Sequence, residues 1–594
     1  MSPMARVRRE LKFLRALIRT LSRIRSIVPD SPRLVCDDLE AAIDAWRARS
    51  AITLGRRTVT YGQLDEMANR YAHWAVEHGV RRGQTVALYA PTRIDYLAIW
   101  YGLAKIGAAT ALVNNNLTGA SLAHCLEIAG ASIAIVDGET APALLAVNPT
   151  LDRPMTVWTL GPVQDEMRDL TRALRSCSQL RPDRALRDGM TARETALYIF
   201  TSGTTGLPKA ARINHMRAQL YMRGFAAATD AKPDDRIYVT LPLYHATGGL
   251  CAMGAALMSG GSVVLRPRFS ASHFWSDVTN GGCTMFVYIG ELCRYLVNQT
   301  EQPGEQTHKL RMAFGNGLRP EIWETVQQRF RVPEILEFYG STEGNVSLFN
   351  FDGKPGAIGR IPSYLRSWFN VRLARFDVET ETIVRGAGGL GVEAAVGEIG
   401  ECVGAIRPGP RTDFGGYADK AASERKIARD LFKRGDAWFA TGDLMRQDKE
   451  GYFYFADRVG DTYRWKGENV STSEVEQALA RLPGVKEASV YGVKVGDLDG
   501  RAGMASLVVD KGFAIADLGP AVETALPAFA RPLFVRLEQA IAVTGTFKHR
   551  KIDMVAEGFD PAKVKRPLYV HTGEGYKPIT PEMAGQITSG EMRV

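Results

Sequence analysis

The chain has 594 residues, 45% hydrophobic and 23% charged, the balance of a soluble globular protein too long for a single core; collagen-like, coiled-coil and wholly disordered classes are excluded. Its seven cysteines are odd in number and contain no CxxC pair, which argues against a disulfide framework or a structural zinc site and suits a reducing cytosol. The net charge of +9 is local: residues 1–28 hold eight cationic residues against Glu10 alone, +7 in all, so the rest carries only +2 and no nucleic-acid partner is indicated.

The first predicted element is a helix over MARVRRELKFLRALIRTLSRIRSIV. Leu11, Leu14, Leu17, Ile18, Leu21, Ile24 and Val28 recur at three- and four-residue steps as one apolar stripe, with Arg and Lys on the other faces. The charges are too frequent for a bilayer span, and the uninterrupted apolar core of a secretory signal is absent. The pattern predicts that residues 4–28 lie flat on an anionic membrane surface, on the inner face of a membrane; a helix packed on the protein body and a flexible basic leader are the competing arrangements. Residues 96–113, YLAIWYGLAKIGAATALV, are interrupted by Lys105 and two glycines, and read as a core helix followed by a buried strand.

Short β-rich runs follow at 85–90, 133–136, 196–200, 236–242, 262–265 and 285–289, several separated by helix-like stretches. This is the βαβ rhythm of a parallel α/β sheet. Residues 367–408 are richer in strand residues and Gly and predict a small β subdomain. GAGGLG at 386–391 matches G-x-G-x-x-G, but it follows no Rossmann strand and opens no helix, so it reads as a loop. After residue 457 comes a smaller α+β unit, with a helix at 473–482 and strands near 487–493 and 504–509.

The most informative segment is YIFTSGTTGLPKAARINH, 198–215. A strand ends at Phe200. Thr201, Ser202, Gly203, Thr204, Thr205 and Gly206 come next, then Lys209 and a helix-like run. Such glycines let backbone N–H groups face phosphate oxygens, while hydroxyls add donors and the lysine adds charge. The spacing is not that of a Walker loop.

TSGTTGLPK resembles the phosphate-binding signature of the adenylate-forming enzymes. PLYHATGG (242–249), FGNGLRP (314–320), FYGSTEGN (338–345), ATGDL (440–444), FADRVGDTYRWKGENVSTSEVE (455–476) and VTGTFKHRK (543–551) agree in order and spacing. The forms YIGELCRYL, GNGLRPEIW and TGTFKHRK are similar to the fatty acid transport protein and very-long-chain acyl-CoA synthetase branch.

The resemblance implies attack of a fatty carboxylate on the α-phosphorus of ATP, giving acyl-AMP and pyrophosphate, then transfer to coenzyme A. It implies Mg²⁺ at Glu343, Thr201–Gly206 and Lys209 on phosphates, and Gly315, Asn316 and Gly317 along the adenine edge. Tyr339 would stack on adenine, with Gly340, Ser341 and Thr342 in the same polar loop. Asp443 and Arg458 would meet the ribose, and His245 would sit near the reacting carboxylate. Lys548 would serve adenylation and Arg464 the thioester-forming pose. Gly460 stands where the superfamily has an Asp or Lys hinge, and Phe547 stands where the terminal motif has Gly. The implied fold is α/β: a basic helix (1–28), a large AMP-binding domain (29–456) holding parallel-type sheets and a small β subdomain, and a mobile α+β lid (457–594). Two rival readings share these motifs: an acyl-AMP ligase loading a carrier protein, and a membrane-associated fatty-acid uptake protein with little catalysis.

Overall fold

The structure, a computed structural model, describes residues 2–592 apart from 165, 202–206, 379, 466–467, 497, 499 and 544–550. Packing divides the chain into two compact units, Met1–Ile361 with Gly404–Ala428, and Pro362–Val403 with Arg429–Val594.

The first unit is built on two large sheets. One takes Thr85–Tyr89, Ala109–Leu112, Ile133–Val136 and Thr156–Thr159 as parallel strands and ends on an antiparallel hairpin, Thr195–Thr201 with Lys209–Asn214. The other runs parallel through Arg236–Val239, Met285–Ile289, Met312–Asn316 and Glu334–Gly340, with an antiparallel edge at Ser347–Asn350. Their continuous apolar runs are the mark of strands covered on both faces: TVALY is buried at every position. The Tyr96–Lys105 helix is buried throughout, which accounts for its apolar composition without a membrane. Lys105, which interrupts that run, is answered inside the core by Asp65 at 2.6 Å and Asn69 at 2.5 Å. No helix among the described residues is long and apolar enough to cross a membrane.

The N-terminal helix, Pro3–Ile24, packs along the His215–Ala228 helix of the same unit. Its buried face is Phe13, Ala16 and Thr20, not the leucine stripe read from the sequence. Phe13 meets Phe351 edge to face at 6.1 Å, Glu10 pairs with Arg360, and the Arg19 guanidinium donates to the Ala227 carbonyl at 2.6 Å. Leu14, Leu17, Leu21 and Ile24 are half-buried at the flanks. Met4, Val7, Leu11 and Ile18 face outward, 71, 58, 47 and 64% exposed.

In the second unit, Val371–Asp377, Ile399–Ala405, Ala437–Gln447 and Tyr452–Arg458 are neighbours in one sheet. Gly386–Gly391 is a tight turn closed by a bridge between Arg385 and Gly391, the loop expected for GAGGLG. A separate five-stranded sheet, from Val485–Val493 to Tyr576–Pro578, packs with the Thr472–Ala480 helix around a core including Tyr491, Met504 and Phe534.

Candidate active site

The residues after the glycine-rich loop form a strand before they form a helix. Lys209–Asn214 pairs with Thr195–Thr201, placing Lys209 opposite Thr201; residues 202–206 lie outside those described. The helix-like run expected directly after Lys209 therefore begins only at His215, where the Asn214 side chain accepts from the Arg217 amide at 2.8 Å as an N-cap. The reason is edge pairing: Ala210, Ala211, Ile213 and Asn214 are buried when the segment completes the sheet.

The other edge of this strand carries residues 416–418. Ala211 bridges Tyr417, the Ala418 amide donates to the Ala210 carbonyl at 2.9 Å, and the Arg212 amide donates to Gly416 at 3.1 Å. This pairing delivers Tyr417, a residue that stands in none of the sequence motifs. Its hydroxyl donates to Glu343 Oε1 at 2.6 Å, and Lys209 Nζ lies 5.6 Å from its ring centroid. Burial and the Glu343 charge push the Tyr417 phenol well above its ordinary range. Burial, with Lys426 and Arg425 nearby, pulls the Lys209 ammonium below the usual lysine range. Lys209, Tyr417 and Glu343 thus form one connected group although they are far apart in sequence.

Glu343 is 9% exposed and sits in the loop after Glu334–Gly340. That strand and Met312–Asn316 are parallel neighbours, so their carboxyl ends deliver Tyr339–Gly340 and Gly315–Asn316 to the same edge, where open α/β sheets bind ligands. The acidic loop is held by the His215–Ala228 helix. Tyr221 donates to the Ser341 and Thr342 carbonyls at 3.1 and 3.3 Å, and Arg217 donates to Gly344 and to the Asp413 carbonyl. Among the described residues, the buried atoms Asn316 Oδ1 and Ser341 Oγ find no hydrogen-bond partner.

His245 is half-buried, its ring 4.6 Å from that of Tyr244, just before a π-helical turn at Thr247–Ala252. Such turns recur at functional sites. No three His, Cys, Asp or Glu side chains converge as a metal cage among the described residues. One buried carboxylate, Glu343, near the Lys209 ammonium still fits Mg²⁺, which favours one or two carboxylates plus phosphate oxygens over an all-protein cage.

The remaining candidates belong to the second unit. Asp443 stands opposite Arg458 on antiparallel strands, with Nε and Oδ1 3.6 Å apart. The Gly442 amide donates to Glu401 at 2.9 Å, which fixes the turn before Asp443. Gly460 adopts φ +89°, and Arg464 is half-buried on the Tyr463–Trp465 strand. Lys548 lies outside the described residues. The structure therefore gathers Thr201, Lys209, Gly315–Gly317, Tyr339–Glu343 and His245 in one unit, and Asp443, Arg458, Gly460 and Arg464 in the other.

The AMP-binding enzyme family profile matches residues 39–400, and the AMP-binding enzyme C-terminal domain profile matches 474–548. Long-chain fatty acid transport protein 6 of Mus musculus is 39% identical over 546 residues, covering 90% of this chain and 87% of its own length. Long-chain fatty acid transport protein 1 of Homo sapiens is 38% identical over 607 residues, covering 99% of this chain and 91% of its own. Among solved structures, ATP-bound MatB from Rhodopseudomonas palustris aligns with a TM-score of 0.74 at 24% identity, over 88% of this chain and 98% of its own. A fatty acyl CoA synthetase of Mycobacterium tuberculosis aligns at 0.62 and 23% identity, over 88% and 98%. These structural likenesses identify an adenylate-forming fold.

Proposed function

Since the chain belongs to the AMP-binding enzymes, in the branch of the long-chain fatty acid transport proteins, we propose that it joins a long- or very-long-chain fatty acid to coenzyme A through an acyl-AMP intermediate. The observation that supports the reading is the Lys209–Tyr417–Glu343 group, which holds a lysine and a buried carboxylate together after the 334–340 strand. Attack on ATP crowds anions together, so positive charge has to meet them where it develops. Lys209 and the Thr201–Gly206 loop hold phosphate oxygens. Glu343 would hold Mg²⁺, which when bound would neutralise phosphate charge. Gly315, Asn316 and Gly317 line the adenine edge, Tyr339 stacks on the base, and Gly340, Ser341 and Thr342 complete the pocket wall. Asp443 accepts from the ribose hydroxyls with Arg458 beside it, and His245 orients the fatty carboxylate.

In this proposal residues 29–456 bind ATP and the acyl chain, and 457–594 act as a lid hinged at Gly460. The lid presents Lys548 for adenylation and Arg464 for thioester formation. The N-terminal helix carries the enzyme to the inner face of an anionic membrane through its outward face. Thioester formation there gives the fatty acid a charged headgroup that cannot diffuse back across the bilayer, which couples activation to uptake. The deciding assay is ATP-dependent pyrophosphate release and acyl-CoA formation across a chain-length panel, with a carrier protein as alternative acceptor. Acyl transfer to the carrier but not to coenzyme A would reject the CoA ligase reading. Absence of pyrophosphate release with every chain would reject adenylation.

A further inference from the structure

We propose that Glu337 is the positioning residue of the nucleotide loop: a buried carboxyl that fixes the 315–318 turn from the sheet beneath it and so sets the affinity for ATP. The proposal rests on the reading of that turn as the adenine-edge loop.

Glu337 stands in register with Gly315 on the neighbouring parallel strand and is 1% exposed. Its Oε1 accepts from the Gly317 amide and, at 3.1 Å, from the Leu318 amide; Oε2 accepts from the Tyr288 hydroxyl. Tyr288 is itself the register partner of Gly315 on the other side. One carboxyl therefore joins three successive strands at the point where the middle one ends in the loop.

The turn is otherwise held by close approach. Gly317 has φ +81°, the left-handed region, and a Cβ on Gly290 would fall 1.7 Å from the Gly317 carbonyl oxygen. The chain here leaves its strand and presses onto the neighbouring backbone. In that geometry the Gly317 and Leu318 amides point into the protein, where an unmet donor is costly. Glu337 meets both with one oxygen. Burial pushes its carboxyl up to about 8, with the Tyr288 hydroxyl and the two amides acting in the opposite sense. Tyr288 and Cys293 are the titratable groups that share its surroundings. Burying an acid costs folding free energy, and here all three of its hydrogen bonds serve the loop and the strand beside it. With Asn316 Oδ1 left unpartnered in the same turn, the loop is braced from beneath while one polar atom remains for a ligand.

The test uses the full chain and steady-state kinetics. Glu337→Gln keeps one acceptor for both amides and should leave the KM for ATP within about twofold of wild type, since both loop bonds survive. Glu337→Leu and Glu337→Met leave the amides without an acceptor. Each should raise the KM for ATP about tenfold or more, with kcat at saturating ATP and the KM for CoA changed by less than about threefold. Amide hydrogen exchange at 317–318 should accelerate in the apolar variants and not in Glu337→Gln. A folded apolar variant with wild-type KM for ATP overturns the proposal, as does failure of both apolar variants to fold while Glu337→Gln behaves normally, because the residue is then needed for folding at large. If wild type itself releases no pyrophosphate, the functional reading has failed instead.

Discussion

The Tyr417 hydroxyl and Glu343 Oε1 are 2.6 Å apart in a buried setting, so this bond fixes where the carboxylate points. Tyr417→Phe keeps the ring beside Lys209 and removes only the bond. The Mg²⁺ concentration for half-maximal pyrophosphate release should rise about tenfold or more, as befits one hydrogen bond to a charged group. Saturating Mg²⁺ should restore most of the rate, and an unchanged Mg²⁺ dependence would remove Tyr417 from the site. Glu337 gives a second test at this scale. Its folded carboxyl is raised from 4.5 to about 8. A raised acid binds its proton more tightly when folded, so its favourable term is complete below the unfolded value and is lost as pH climbs through the folded one. The thermal midpoint of Glu337→Gln should therefore gain on wild type between about pH 4.5 and pH 8 and level off above. A constant difference across that window would contradict the raised carboxyl.

The N-terminal helix has one face packed on the protein and another exposed. Its inner face is anchored by Phe13, which is 1% exposed against Phe351 and lies 5.4 Å beneath the Arg360 guanidinium. Phe13→Ala should cost about 3 kcal/mol, felt first as release of the helix and seen as faster hydrogen exchange over residues 3–24. Cutting the chain at Pro29 would strip this packing as well, so it is a poor probe of the outer face. Met4, Val7, Leu11 and Ile18 form the exposed apolar stripe, with Arg8 and Arg15 exposed beside it. Leu11→Glu with Ile18→Glu should abolish salt-sensitive co-sedimentation with phosphatidylserine vesicles while leaving activity on soluble acyl substrates intact. Co-sedimentation equal to wild type would place the membrane contact elsewhere.

Across the whole molecule, the proposed two-step reaction assigns Lys548 to the first step alone. A lysine that meets both the fatty carboxylate and the α-phosphate is needed while negative charge builds between them. Lys548→Ala should slow acyl-AMP formation by about two orders of magnitude or more. The same variant, given preformed acyl-AMP and CoA, should make thioester at nearly the wild-type rate. Equal loss in both half-reactions would reject a lid with separate poses, and the hinge role of Gly460 with it.

The amino-acid sequence by itself determined the α/β rhythm, because IAIV, SVVL and MFVYI are short, β-branched and largely apolar runs that suit strands covered on both faces, and these are strands at the expected positions. The candidate nucleotide residues were legible for a similar reason: loops such as TSGTTG and STEG keep their chemistry within a few consecutive positions. Tertiary structure alone decided what surrounds them. Tyr417 reaches Glu343 across 74 positions, and Arg217 reaches Gly344 across 127. Neither stands in a pattern that marks a role, since a tyrosine or arginine gains one only from the strand or helix that aims it. The N-terminal helix makes the same point from the opposite side. Its hydropathy singled out a leucine stripe, but the face that is buried carries Phe13, Ala16 and Thr20. Periodicity shows that a helix has an apolar side; the shape of the facing surface, here the 215–228 helix and Phe351, selects which residues fit against it.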